Sequence, residues 1–131
     1  MKLIALDFGK KRIGLAIGDS EIGIAAARDF LENSADVLEV ITKLVKEENI
    51  KKILVGLPRG LRGETTQTVE TRKFAKNLAL KVTANVELVD ERFTSKIAKR
   101  NLQAAGQNSR KQRSLIDSET ARIMLQEYFD I

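Results

Sequence analysis

The stretch MKLIALDFGKKRIGLAIG (residues 1–18) decides the fold. Residues 1–8 are apolar on both sides of an alternating pattern, which is typical of a buried central strand. Gly9-Lys10-Lys11 can turn the chain, and residues 12–18 are predicted to return as a second strand in a hairpin. Asp7 closes the apolar run. A carboxylate at the end of a core strand is costly unless a cation binds it.

The remaining sequence predicts alternating helices and strands. Asn33 or Ser34 is expected to cap a first helix, with Asp36 in its first turn and a packing stripe of Val37, Ile41, Leu44 and Val45. A later helix over 65–80 offers Val69, Ala75, Leu78 and Ala79 for packing. The other predicted elements are strands over 22–27, 51–57 and 86–90, a helix over 94–105, a polar break over 106–109 and a last helix from about 115 to 129. A hairpin that feeds parallel crossovers predicts an α/β fold, a mixed five-stranded sheet flanked by helices, in one domain spanning 1–131.

Composition narrows the class of protein. The chain has 131 residues, 43% of them hydrophobic, and no cysteine or histidine. Disulfide and thiol chemistry are therefore excluded. No apolar run approaches the roughly 18 residues of a membrane helix, and the short apolar start lacks a cleavage site. We expect a cytoplasmic protein without a membrane partner.

Positive charge is concentrated in one segment. The net charge is +5, yet no acidic residue occurs between Arg92 and Ile116. That segment holds seven basic residues, and the rest of the chain carries 16 basic against 18 acidic residues. The seven are Arg92, Lys96, Lys99, Arg100, Arg110, Lys111 and Arg113. A basic strip beside carboxylates suits a polyanion such as nucleic acid. A solvated helix face is the alternative interpretation.

Acidic residues occur at the ends of core elements. Besides Asp7, Asp90 and Glu91 close the apolar run 86–89, and Asp117 lies near the start of the last predicted helix. Since parallel strands end at one edge of a sheet, we expect Asp7 to lie near Asp90 and Glu91. Strand alternation does not choose between those two. Without histidine or cysteine, the oxygen ligands point to Mg²⁺ or Mn²⁺.

Two of these acids also have purely structural interpretations. Asp7 could initiate a turn. Ser114 and Asp117 match a helix capping box, in which the acid is only a cap. Helical spacing, however, aligns Asp117 with Ala121, Met124 and Tyr128 on the packing face, where a capping acid has no reason to be.

Five motifs occur in a fixed order along the chain. They are Asp7-Phe8-Gly9, Arg12-Ile13-Gly14-Leu15-Ala16, Val55-Gly56-Leu57-Pro58, Asp90-Glu91-Arg92-Phe93-Thr94-Ser95 and Ile116-Asp117-Ser118. Together they resemble the YqgF family, the RuvX-type relatives of the RuvC Holliday-junction resolvases, over essentially the whole chain. The resemblance implies a ribonuclease H-like fold and a metal-dependent nuclease that acts on the 5′ end of precursor 16S ribosomal RNA.

The same resemblance assigns residues to roles. It implies an acidic catalytic triad of Asp7, Glu91 and Asp117, which would hold Mg²⁺ or Mn²⁺ and hydrolyse a phosphodiester to a 5′-phosphate and a 3′-hydroxyl. The basic residues expected to grip the nucleic-acid backbone are Arg12, Arg92, Lys96, Arg110, Lys111 and Arg113. The chain departs from the family pattern at Glu119, which is often apolar, at Thr120, which is often alanine, and in the basic loop with Arg59 and Arg62.

Rival functions remain open at this stage. Precursor rRNA and branched junction DNA are both candidate substrates, and ribosomal assembly factors are candidate partners. Resolution of a junction would need a homodimer, whereas RNA processing is compatible with a monomer. A nucleic-acid-binding module without catalysis would keep the basic strip and use the acids as caps. A nucleotide-binding protein would rest on the Asp-x-Gly pattern alone, because the chain lacks a phosphate-binding lysine motif.

Overall fold

The computed structural model describes residues 1–58, 65–90 and 109–131, with side chains in the last range from Ser118 onward. The elements within these ranges are β1 (Lys2–Asp7), β2 (Arg12–Asp19), β3 (Ile24–Glu32), α1 (Val37–Glu47), β4 (Ile50–Leu57), α2 (Thr66–Ala79), β5 (Asn85–Asp90) and α3 (Ser109–Phe129).

The strands form one mixed sheet in the order β3-β2-β1-β4-β5. β1, β2 and β3 pair as antiparallel neighbours, while β4 is parallel to β1 and β5 is parallel to β4. The predicted five-stranded mixed sheet is therefore confirmed. β1 lies in the centre, which explains why its sequence is apolar on both faces.

Helices cover both faces of the sheet. On one face, Ile4 and Leu6 of β1 belong to a core that includes Ile41 of α1 and Leu78 of α2. On the other face, Leu3 and Ala5 belong to a second core with residues of α3, namely Ala121, Met124 and Leu125. We call this second side of the sheet the α3 face. Strand alternation assigns every odd-numbered residue of β1, including Asp7, to the α3 face.

The region between β3 and α1 differs from the prediction. β3 extends to Glu32, well beyond the predicted end at residue 27. Neither Asn33 nor Ser34 caps α1, since Asp36 occupies the N-cap position and makes no side-chain capping bond. The Asn33 side chain instead donates to the carbonyl of Gly9. The predicted apolar stripe of α1 is confirmed, with all four residues packed in the first core.

The buried face of α2 differs from the predicted packing stripe. Thr65 caps it through a reciprocal bond with Thr68, a fully buried residue that also donates to the carbonyl of Pro58 at 2.5 Å. Val69 is 58% exposed, and Ala79 is exposed as well. Their predicted packing was wrong, because the bond from Thr68 to Pro58 turns residue 68 inward and residue 69 outward. The buried stripe consists of Thr68, Thr71, Phe74, Ala75 and Leu78.

α3 begins at Ser109, earlier than the predicted start near residue 115. Ser114 and Asp117 therefore lie within the helix, and the capping-box interpretation of Asp117 is wrong. The predicted helix over 94–105 lies outside the described residues. At its other end α3 packs closely on β2, because a Cβ added to Gly18 would lie 2.6 Å from Cε2 of Phe129.

The close contact at Gly18 generates a stability prediction. We expect Gly18→Ala to lower the free energy of unfolding by about 1–3 kcal/mol, because the new methyl group would also lie 2.8 Å from the carbonyl oxygen of Ile24. Urea unfolding measures the loss. A second change, Phe129→Leu, should recover part of it by removing the ring. An unchanged midpoint in Gly18→Ala would show that α3 does not pack this closely.

Candidate functional site

Asp7 lies at the centre of the sheet with a glycine on each side. It pairs with Gly14 of β2. Because Leu6 pairs with Val55 of β4, Gly56 lies beside Asp7 on that strand. Both glycines are buried, so neither of the two residues directly beside Asp7 on the neighbouring strands carries a side chain. A glycine within a strand often marks a place where a ligand or another backbone approaches closely.

Asp90 does not lie beside Asp7, although each is the last residue of its strand and β1 and β5 run in the same direction. β4 lies between β1 and β5, so the two residues are separated by two strand spacings, roughly 10 Å. Val89 packs in the core of the α3 face, whereas Val86 packs in the core on the opposite face. Asp90 alternates with Val86 and therefore belongs to the opposite face from Asp7. The expected proximity of Asp7 and Asp90 was wrong, and Glu91 lies outside the described residues.

Asp117 belongs to α3, and its side chain lies outside the described residues. The helix is fixed immediately after it: the buried Ser118 accepts a hydrogen bond from the backbone N–H of Leu15 at 3.3 Å. One turn further, Ala121 is fully buried against the sheet. Since Leu15 follows Gly14, the partner of Asp7, the backbone of α3 passes β2 beside the end of β1.

Arg12 is the described member of the predicted nucleic-acid-binding set. It alternates with Gly14 along β2 and so has the orientation of Asp7. Its guanidinium lies 5.4 Å from the ring centre of Phe30, within range of a cation–π contact. Arg92 and Lys96 lie outside the described residues. Arg110, Lys111 and Arg113 belong to the first two turns of α3, and their side chains are likewise outside them.

The turn that follows Asp7 is held by a residue that sequence reasoning assigned elsewhere. The Asn33 side chain donates to the Gly9 carbonyl at 2.8 Å, and its backbone N–H donates to the Lys11 carbonyl at 2.9 Å. A Cβ on Gly9 would lie 2.5 Å from the carbonyl oxygen of Arg12. Glycine is needed here for this close approach. The turn therefore holds a fixed shape between Asp7 and Arg12.

The departures from the family pattern in α3 have local structural consequences. Glu119 accepts a bidentate hydrogen bond from Arg122, with 2.9 Å between Nε and Oε2. The Glu119 carboxylate raises the pKa of Arg122 above its ordinary value. This pairing explains how an acid is accommodated at a mostly buried position. Thr120 is fully buried, and among the described residues its hydroxyl has no hydrogen-bond partner.

The chemistry around Asp7 suits a hard divalent cation. Its carboxylate oxygens fit Mg²⁺ or Mn²⁺ better than a softer metal. Within the described ranges no group of three or more acidic residues comes together. Two of the three predicted ligand side chains, those of Glu91 and Asp117, fall outside these ranges.

Comparison with known families decides where the chain belongs. A family model described as "RuvX: Holliday junction resolvase" matches residues 1–131. The chain belongs to the RuvX family. Two RuvX relatives carry the name "Putative pre-16S rRNA nuclease". The one from Methylobacillus flagellatus is 39% identical and that from Sulfurihydrogenibium sp. is 37% identical, each over 98% of this chain and 90% of its own length.

This RuvX chain shares its fold with the solved structures of two other proteins. Thermus thermophilus RuvC in complex with a Holliday junction superposes with a TM-score of 0.62 at 13% identity, covering 99% of this chain and 94% of RuvC. The fowlpox virus resolvase, also solved with junction DNA, gives 0.64 at 12% identity, covering 99% and 97%. The predicted ribonuclease H-like fold is confirmed. None of the helices in the described ranges has the length and apolar character of a membrane span.

The buried hydroxyl of Thr120 generates a second stability prediction. We expect Thr120→Val to raise the free energy of unfolding by about 1 kcal/mol, because it removes a buried hydroxyl that has no partner among the described residues. Thr71 is the matched control, since it is also fully buried in a helix but donates to the Gln67 carbonyl at 2.8 Å. Thr71→Val should leave stability unchanged or lower it. Thermal unfolding compares the two, and an equal loss in both would contradict the assignment.

Proposed function

We propose that this RuvX protein is a divalent-metal-dependent nuclease that processes the 5′ end of precursor 16S rRNA. The observation that carries the proposal is the position of Asp7, a carboxylate at the carboxyl end of the central strand with Gly14 and Gly56 on either side. The names of the relatives at 37–39% identity support the choice of substrate.

We propose Asp7, Glu91 and Asp117 as the catalytic and metal-binding triad. For Asp7 the support is its orientation toward the α3 face. For Asp117 it is the path of α3, which continues as regular helix through residue 117 and is fixed at Ser118 beside β2. For Glu91 the support is indirect: Asp90 has the orientation of the opposite face, which leaves its neighbour as the better candidate.

Acidic side chains of this protein would hold the metal ions, and basic side chains would position the nucleic-acid substrate. Three converging carboxylates repel one another and are stable together only with a counter-charge. Divalent ions bound there supply a nucleophilic water at neutral pH and neutralise charge on the departing oxygen of the phosphodiester. Arg12, on the face of Asp7 and beside Phe30, would hold a phosphate next to the scissile one. Arg92, Lys96, Arg110, Lys111 and Arg113 would bind the backbone further away.

Cleavage of four-way DNA junctions is the second candidate function. The likeness of the fold to two resolvases solved with junction DNA favours it. Paired cuts in a junction require two active sites related by symmetry, so this function also predicts a homodimer on the substrate. Processing of rRNA carries no such requirement, and its proposed partners are ribosomal assembly factors that present the RNA end.

The three proposed metal ligands generate a mutational prediction. We expect Asp7→Asn, Glu91→Gln and Asp117→Asn each to reduce Mg²⁺-dependent cleavage by at least about 100-fold, because each removes a charged metal ligand, while binding of the RNA is retained. Asp90→Asn is the matched control. It removes a neighbouring carboxylate of the opposite orientation and should leave cleavage within about twofold of wild type.

End-labelled precursor rRNA and four-way DNA junctions, incubated with Mg²⁺, Mn²⁺ or chelator, provide the measurement. Preferred cutting of the RNA supports rRNA processing, and preferred cutting of junctions by a dimer supports the second candidate. A loss of cleavage in Asp90→Asn with normal cleavage in Glu91→Gln would contradict the proposed triad. Binding without cleavage under every metal would favour the non-catalytic module.

A further inference from the structure

We propose that Ser118 is a positioning residue, which holds α3 in the register that brings Asp117 to the carboxyl end of β1. The inference rests on the proposed function, because it assigns Ser118 a role in the geometry of the metal site. The residue itself would touch neither metal nor substrate.

The contact of Ser118 lies at an irregularity in the sheet. Between β2 and β3 the register shifts, so that Asp29 and Phe30 of β3 lie opposite the single residue Gly14. Such a bulge disrupts the ladder locally. The next residue of β2, Leu15, donates its backbone N–H to the Ser118 hydroxyl at 3.3 Å. Ser118 is 2% exposed, so water does not compete for this bond.

The bond connects α3 to the site by a very short path. Leu15 pairs with Leu6, and Gly14 pairs with Asp7, so the strand atom that Ser118 contacts is one residue from the partner of Asp7. On the helix side, Ser118 directly follows Asp117. Within the described residues, this is the one hydrogen bond between α3 and β2. A slide or roll of α3 would therefore break it and move residue 117 relative to Asp7.

Gln126 makes a similar contact far from the site. Its amide oxygen accepts from the backbone N–H of Ala25 at 2.9 Å, and its amide nitrogen donates to the carbonyl of Gly23 at 2.9 Å. Both bonds tie α3 to the backbone at the start of β3. Gln126 lies eight positions further along the helix than Ser118, a distance of about 12 Å. Loss of Gln126 should thus weaken the attachment of α3 without disturbing residue 117.

The test compares Ser118→Ala with Gln126→Ala in the full-length protein. Isothermal titration calorimetry measures Mn²⁺ binding to the metal-free protein, and the binding that is lost in Asp7→Asn is assigned to the site at Asp7. Urea unfolding measures the stability of each variant. We expect both variants to lose stability. Ser118→Ala should also bind Mn²⁺ about 10-fold more weakly or worse, as for loss of a residue that orients a metal ligand. Gln126→Ala should stay within about twofold of wild type. If Ser118→Ala does not fold, Ser118→Cys, which keeps the volume and weakens the acceptor, replaces it.

Equal Mn²⁺ affinity in Ser118→Ala and Gln126→Ala would overturn the inference and leave Ser118 as a structural tie only. The absence of Mn²⁺ binding at Asp7 in the wild type would overturn it too. Failure of the proposed function is distinguishable, because the readout is metal affinity and not cleavage. A wild type that binds Mn²⁺ at Asp7 but cuts no nucleic acid would refute the nuclease while the difference between the two variants still upholds the role of Ser118.

Discussion

A carboxylate at the end of the central strand is the constraint on which the rest of the structure depends. β1 is covered by a hydrophobic core on each face, and Asp7 is partly buried at its end. Such a charge is unfavourable without a compensating cation or hydrogen bonds. A chain under pressure only for stability would place an apolar residue there. The position is consistent with the proposed cation site, to which Asp7 would contribute a charged oxygen ligand.

Small residues on the α3 face let the helix approach the sheet. Ala5, Ala16 and Gly18 allow α3 to pack closely, as the contact between Gly18 and Phe129 shows. Near the carboxyl ends of β1 and β4 the same kind of residue, Gly14 and Gly56, flanks Asp7. The close packing fixes the helix that carries another proposed ligand.

Polar contacts near both ends of the strands keep α3 in place. Near the carboxyl end of β1, Ser118 accepts a hydrogen bond from the backbone of β2. Toward the amino ends of β4 and β5, Lys52 donates to the Tyr128 hydroxyl at 2.8 Å and lies 3.2 Å from the Glu87 carboxylate. The hydrogen bonds to Tyr128 and Glu87 raise the pKa of Lys52 above its ordinary value. A helix whose apolar face alone touched the sheet could slide, whereas these directional bonds specify one register.

The sequence predicts the sheet well because hydrophobic alternation reports burial directly, and β1 could be assigned to the centre from its two apolar faces alone. Side-chain hydrogen bonds were harder to foresee. Asn33 looked like a helix cap but binds Gly9, and the bond from Thr68 to Pro58 rotates Val69 outward. Strand alternation accounts for the remaining error, since Asp90 belongs to the opposite face of the sheet from Asp7. The roles of Gly14 and Gly56 could have been suspected, because glycine is unfavourable in a central strand and needs a reason to be there.

The most direct test of this account is the position of Mn²⁺ in crystals of the wild-type protein, located by its anomalous scattering. The expected result is a peak on the α3 face within coordination distance of the Asp7 carboxylate, and its loss in Asp7→Asn. A peak on the opposite face beside Asp90, or none at Asp7 at a saturating Mn²⁺ concentration, would contradict it.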